Sequence, residues 1–141
     1  MSKNSEFHEK AWGREEWLTN NEKYCGKILY LNKGYRCSIH YHKNKDESFY
    51  LMVGKIILEI NGKQRVMEEN DVQRITPGTR HRFSGLEQSV IIETSTPHEE
   101  KDCYRETQSE KIPEEEFNEL LKIYSQNGSK NNLSKVQVNK D

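Results

Sequence analysis

The sequence predicts an all-β sandwich or barrel followed by one helix near the C-terminus. Three observations carry this reading. Short stretches rich in Ile, Leu, Val, Tyr and Phe recur at close spacing, and none is long enough for an ordinary helix. Turn residues separate them, above all Asn61-Gly62 and Pro77-Gly78. Helical periodicity is confined to one place, where Phe117, Leu120, Leu121 and Tyr124 fall at i, i+3, i+4 and i+7.

Taken in order, residues 1–6 are polar and are expected to be flexible. Residues 7–17 carry both tryptophans, Trp12 and Trp17, which are costly to leave in water, so this segment is expected to lie extended on the barrel or on a second subunit. The barrel is expected over about 24–105, with apolar stretches at 24–31, 35–41, 48–53, 56–60, 72–75 and 90–92. Asn-Gly accepts the positive φ of a two-residue hairpin, so residues 55–60 should pair with 63–67. The helix is expected over about 113–126. Pro113 suits its first turn, Glu114, Glu115 and Glu116 suit the positive end of its dipole, and Gly128 suits its stop. Such a helix is too short to hold alone and should dock on the sheet. Residues 127–141 read as a flexible tail. The whole of 7–126 is expected to be a single domain, because 141 residues are too few for two ordinary cores.

Composition narrows the partners. With 22 basic and 23 acidic residues the net charge is −1, so there is no basic surplus to hold a nucleic acid. No apolar run approaches the length of a membrane span. A mean hydropathy of −1.07 would suit a disordered chain, but the apolar residues are concentrated between Tyr24 and Tyr104. Cys25, Cys37 and Cys103 are odd in number and lack CxxC spacing, and residues 1–10 hold no apolar signal region. Reduced thiols and a cytoplasmic protein are therefore expected.

The chemistry centres on His40-Tyr41-His42. On a strand, residues i and i+2 share a face, so the two imidazoles sit side by side and are able to bind one metal ion. Glu47 follows across a short loop and is placed to bring a carboxylate to the same ion, and the turn at Pro77-Gly78 would deliver His81 from another strand. Three imidazoles and a carboxylate suit one divalent ion, Mn or Zn first, with Fe, Co or Ni also compatible. Such a set leaves coordination positions open for a substrate. Tyr41, between the two histidines, should face the other way, as should Cys37 on the parity of Tyr35 and Tyr41.

The spacing of these residues resembles the cupin superfamily. Gly34, five residues, His40-x-His42, four residues, Glu47, six residues, Gly54 matches the first cupin signature at every position. The second signature is met in part: Gly78 and His81 are in place, while Asn70 stands for a glycine, Thr76 for a proline with Pro77 one place later, and Gly85 for an asparagine. The departures touch turn and packing positions, not the ligands. The resemblance implies a jelly-roll β-barrel with His40, His42, Glu47 and His81 as metal ligands. Trp12-Gly13-Arg14-Glu15-Glu16-Trp17 and the stretch from Asn21 to Lys27 are similar to the lead-in of the cupin domain of bifunctional phosphomannose isomerases. Tyr24-Cys25-Gly26-Lys27, Lys45-Asp46-Glu47 and Glu93-Thr94-Ser95-Thr96 with Lys101-Asp102 are similar to D-lyxose isomerases.

Those families imply an aldose–ketose isomerase acting on a sugar or sugar phosphate of the D-lyxose or D-mannose kind, through a metal-chelated ene-diolate. Glu93, expected to point inward from its strand, is the candidate base, and Lys45 the candidate proton donor or sugar-oxygen ligand. Arg74 and Arg82, with Arg80, are candidates to bind substrate or hold a phosphate. His98 is expected at the surface. A homodimer is expected from the aromatic area of the N-terminal segment. The alternatives are a non-catalytic metal-bearing cupin that binds a small sugar or acid, and an iron-dependent cupin dioxygenase. The distinguishing feature is whether Glu93 and Lys45 enter the cavity of the metal.

Overall fold

A computed structural model describes residues 3–124. In chain order the strands are β1 (Glu6–Lys10), β2 (Gly13–Asn20), β3 (Cys25–Leu31), β4 (Tyr35–Arg36), β5 (His40–Tyr41), β6 (Glu47–Val53), β7 (Ile56–Ile60), β8 (Lys63–Met67), β9 (Val72–Ile75), β10 (His81–Gly85), β11 (Ser89–Ser95), β12 (Tyr104–Arg105) and β13 (Glu110–Lys111). One sheet runs β1-β2-β3-β11-β6-β9, and the other is built on β12-β5-β10-β4-β13, with β7 pairing β10 and β8. All pairings are antiparallel. Among the described residues one α-helix covers 114–124, and the expected end at Gln126 and the tail beyond it lie outside the described residues. The all-β class with one C-terminal helix is as the sequence predicts.

Strand parity explains the core. In β3, Cys25, Lys27, Leu29 and Leu31 are buried and the residues between them are not. In β6 the buried set is Glu47, Phe49 and Leu51, and in β11 it is Ser89, Ile91 and Glu93. The cross-strand partners Leu29, Ile91 and Leu51 therefore meet in one apolar layer, joined by Leu58, Met67, Ile75, Phe83 and Trp12. Further along the same faces come Lys27, Glu93 and Glu47. The barrel thus has an apolar end and a charged end, and the charged end is the site.

In β7 three successive residues are buried. Ile56 and Leu58 belong to the core between the sheets, while Ile57 faces outward and packs with Val66 and Leu86 against Phe117, Leu120, Leu121 and Tyr124 of the helix. That contact holds the marginal helix in place. The β7–β8 hairpin turns at Asn61 (φ 49°) and Gly62 (φ 82°), the two positive φ values that a twisted two-residue turn needs. Gly54 sits at φ 99°, where a Cβ would come within 2.5 Å of the Gln88 carbonyl oxygen, so only glycine fits between β6 and β7.

Residues 7–17 form most of a hairpin that lies extended on the barrel sheet, the first of the two arrangements expected. β1 pairs β2, which extends the sheet through β3 with a bulge near Trp17. Trp12, in the β1–β2 turn, is buried edge-on against Phe83.

Candidate metal centre

Three histidines converge at the charged end. His40 comes from β5 and His81 from β10, and the two are direct cross-strand partners. His42 follows two residues after His40. Their ligand atoms all lie within 4.8 Å of one another, so the three imidazoles could hold one metal ion. Glu47, at the start of β6, places Oε2 3.1 Å from His81 Nε2 and 3.4 Å from His42 Nε2.

The hydrogen bonds of the histidines test whether a cation fits. His40 Nδ1 lies 2.8 Å from the Ser38 carbonyl, His42 Nδ1 2.7 Å from the Asp102 carbonyl, and His81 Nδ1 2.9 Å from the Thr79 carbonyl. A carbonyl only accepts, so each Nδ1 carries the proton and each Nε2 is left with its lone pair. The lone pairs of His42 and His81 then face the carboxylate oxygen of Glu47, and both Glu47 Oε2 and His81 Nε2 are buried with no hydrogen-bond partner. Acceptors crowded against acceptors in a dry pocket need a positive charge between them. The outer partners are those that orient metal-binding imidazoles.

Burial, then the neighbouring His81, pushes His40 down to about 3. The unfolded imidazole has its ordinary value near 6.5, so between roughly pH 6.5 and 3 the unfolded chain takes up a proton that the folded chain refuses. Stability of the metal-free protein should therefore be full at neutral pH and fall as pH drops through that window. Urea midpoints at pH 7 and pH 4.5 check this, and a higher midpoint at the lower pH would refute it.

Lys45 and Glu93 enter the same cavity, which holds about 590 Å3 of space between atoms, part of it open to solvent. Lys45 Nζ is 2.6 Å from Glu93 Oε2 and 3.6 Å from Glu47 Oε1. Burial works against the ammonium, but Glu93 and Glu47 outweigh it and raise Lys45 above its usual value. Lys45 is thus a cation held between two carboxylates. Its third contact is His98 Nδ1 at 3.2 Å, which must accept, so His98 Nε2–H donates to Glu100 Oε1 at 3.0 Å.

His98 is not the surface residue expected. Its ring packs edge-on against Trp17, and burial with the charges of Lys27 and Lys45 lowers it to about 4. Lys27 was not singled out in the sequence either. It is 2% exposed, bonded to Glu15 at 3.3 Å and set over the Trp17 ring. Cys37 also departs from expectation: it lines the cavity, because the strand breaks after Arg36 and parity does not carry through to His40. Tyr41 does turn away, stacking on Tyr104.

Arg74 and Arg82 are not brought to this cavity. The inward positions of β9 are Gln73 and Ile75, so Arg74 faces out and pairs with Asp46 at 2.5 Å. In β10 the inward positions are His81 and Phe83, so Arg82 faces out and pairs with Glu59 at 2.9 Å. Arg80 pairs with Glu106.

Asp102 anchors the site from a turn of 3-10 helix, Glu100–Asp102. Its buried carboxylate accepts from the backbone N–H groups of Lys43 (2.8 Å), Asn44 (3.2 Å) and Lys45 (3.1 Å), fixing the loop between His42 and Glu47. Asp102→Ala would strip those amides of their acceptor, and it should destabilise the fold by about 2–4 kcal/mol. Chemical denaturation measures this, and a loss below about 0.5 kcal/mol, the usual range of surface changes, would show the loop is held by other means.

Residues 28–92 match the family model described as Cupin domain. A stretch of 53 residues is 33% identical to the tetracenomycin polyketide synthase protein TcmJ of Streptomyces glaucescens, covering 38% of this chain and 36% of that protein. An RmlC-like cupin from Shewanella frigidimarina has a similar structure, with TM-score 0.63 at 19% identity over 69% of this chain and 87% of that one. Streptomyces Pac13, a nucleoside dehydratase seen with uridine, aligns with TM-score 0.69 at 17% identity over 82% of this chain and 98% of that one. At these identities the structural likeness is one of fold. Among the described residues no helix is long and apolar enough to cross a membrane, and all three cysteines are free.

Proposed function

We propose, on the premise that this chain is a cupin barrel in fold with one three-histidine cluster, that it is a metal-dependent aldose–ketose isomerase for a sugar or sugar phosphate of the D-lyxose or D-mannose kind. The observation that carries the reading is the Lys45–Glu93 pair, 2.6 Å apart inside the cavity lined by His40, His42 and Glu47. His40, His42, His81 and Glu47 would hold one divalent ion, Mn or Zn in preference to Fe, Co or Ni. That ion would polarise a sugar carbonyl as a Lewis acid.

The remaining work falls to the chain. Glu93 Oε2 takes the proton from the carbon beside the carbonyl and returns it to the carbonyl carbon, while the hydroxyl proton passes from the oxygen on the first carbon to the former carbonyl oxygen, so that the new carbonyl forms as the old one closes. Lys45 Nζ balances the carboxylate while it is charged and donates a hydrogen bond to a sugar oxygen. The β1–β2 hairpin closes one side with Lys10, Trp12 and Glu15, limiting water. A dioxygenase would have no use for this buried acid–base pair. We read the protein as cytoplasmic and homodimeric, with the N-terminal hairpin at the interface.

The test is a screen of D-lyxose, D-mannose and D-mannose 6-phosphate against protein loaded with Mn, Zn, Co, Ni or Fe, with ketose formation followed by NMR. Interconversion of at least one substrate is expected. No turnover by samples carrying a full equivalent of ion would defeat the isomerase reading.

A further inference from the structure

Arg105 is the residue at the cavity that the chemistry above leaves unused. It lies on β12 directly opposite His40 of β5. Directly opposed residues of an antiparallel pair project from the same face, so the guanidinium stands on the face that carries His40, and it lines the cavity. It is exposed at the mouth, and among the described residues it makes no hydrogen bond or ion pair. Arg74, Arg80 and Arg82 are all held by acidic partners, so Arg105 differs from them in having its donors free.

The charges of the cavity point the same way. In the interior Lys27 is matched by Glu15 and Lys45 by Glu93. Arg105 and Lys10 line the same cavity as Glu100, whose carboxylate is engaged by His98. Without an ion the lining is balanced, since Glu47 offsets the remaining cation. A divalent ion would make it positive by two charges, in a pocket where low dielectric strengthens every charge. A neutral sugar cannot answer that excess.

We propose that Arg105 is a substrate-binding residue that takes an anionic substituent, a carboxylate or a phosphate, of a sugar whose other end reaches the histidines. This rests on the reading of the histidine cluster as a metal site and deepens it by naming the substrate class. The planar fork of arginine matches either anion with two parallel hydrogen bonds.

The experiment is calorimetric titration of the metal-loaded protein with D-mannose, D-mannuronate and D-mannose 6-phosphate, at low and high salt. At least one anion is expected to bind about tenfold or more tighter than mannose, with the advantage shrinking in salt. The better anion identifies the substituent. Arg105→Gln should abolish the advantage while leaving ion content and mannose binding unchanged, and Arg105→Lys should restore part of it. Equal binding of mannose and both anions, no saturable binding of either anion, or an advantage that survives Arg105→Gln would each overturn the proposal. Turnover is not the readout. An anion preference without isomerisation would defeat the isomerase reading alone, and isomerisation of mannose without an anion preference would defeat this proposal alone.

Discussion

Replacing His42 by alanine is expected to leave a folded protein that has lost its divalent ion. The imidazole is 5% exposed and sits at the charged end of the barrel, away from the layer of Leu29, Leu51, Leu58 and Ile91 that holds the sheets together. Its removal deletes one of three converging nitrogens and leaves the others displaced from a complete set. Losing even an outer partner of a metal ligand costs 10- to 100-fold in affinity, so losing the ligand itself should cost at least about 100-fold. Elemental analysis after dialysis against a weak chelator reads the ion, and circular dichroism reads the fold. Any isomerase turnover should vanish with the ion. An unchanged ion content in the folded variant would place the metal elsewhere and remove the basis of the proposed chemistry.

Glu93→Gln should act on turnover and leave the ion in place. The amide keeps the shape of the side chain and loses the ability to take a proton, so the rate should fall by about 100- to 10,000-fold. Lys45 would lose its 2.6 Å ion pair but keep Glu47 at 3.6 Å. A stability loss of about 1–3 kcal/mol is expected from that exchange. The informative comparison is kcat against ion content in one preparation. A variant with normal ion content and normal kcat would show that Glu93 is a structural counter-ion for Lys45 and that the proton moves by another route.

The parts of the site that were legible in the sequence are those set by short-range geometry. Strand alternation pairs His40 with His42, and a glycine turn can return a chain with His81 to the same face. The walls were harder because they meet only in three dimensions. Lys27, Glu15 and His98 lie on β3, β2 and an irregular segment, and no single period links them. One signal was available: Lys27 occupies an inward position of the alternating set Cys25, Leu29, Leu31, where a lysine has no reason to be unless it meets an acid. Arg82 was decidable too, since the neighbour of an inward His81 on a strand must face outward. Cys37 was not, because the break after Arg36 interrupts the alternation without any glycine or proline between 35 and 40 to announce it. His98 and Asp102 sit where the chain has neither helical nor strand period, so only the folded structure assembles them.

The three clustered histidines and Glu47 all lie within residues 28–92, whereas Trp12, Glu15, Lys27, His98, Asp102 and Arg105 all lie outside that stretch. The histidine cluster and most of the surrounding wall, Glu93 included, are therefore written in separable lengths of chain. The β1–β2 hairpin joins the barrel through a single strand pairing, β2 with β3, so it can be exchanged for another hairpin without rebuilding the histidine cluster. A chimaera of that kind should keep its ion and change what it admits. An excised fragment limited to 28–92 would keep the three histidines and Glu47 yet lose Trp12, Lys27, Glu93 and the anchoring Asp102 that shape the space around them. Engineers seeking new substrates for this barrel would do best to diversify its flanks.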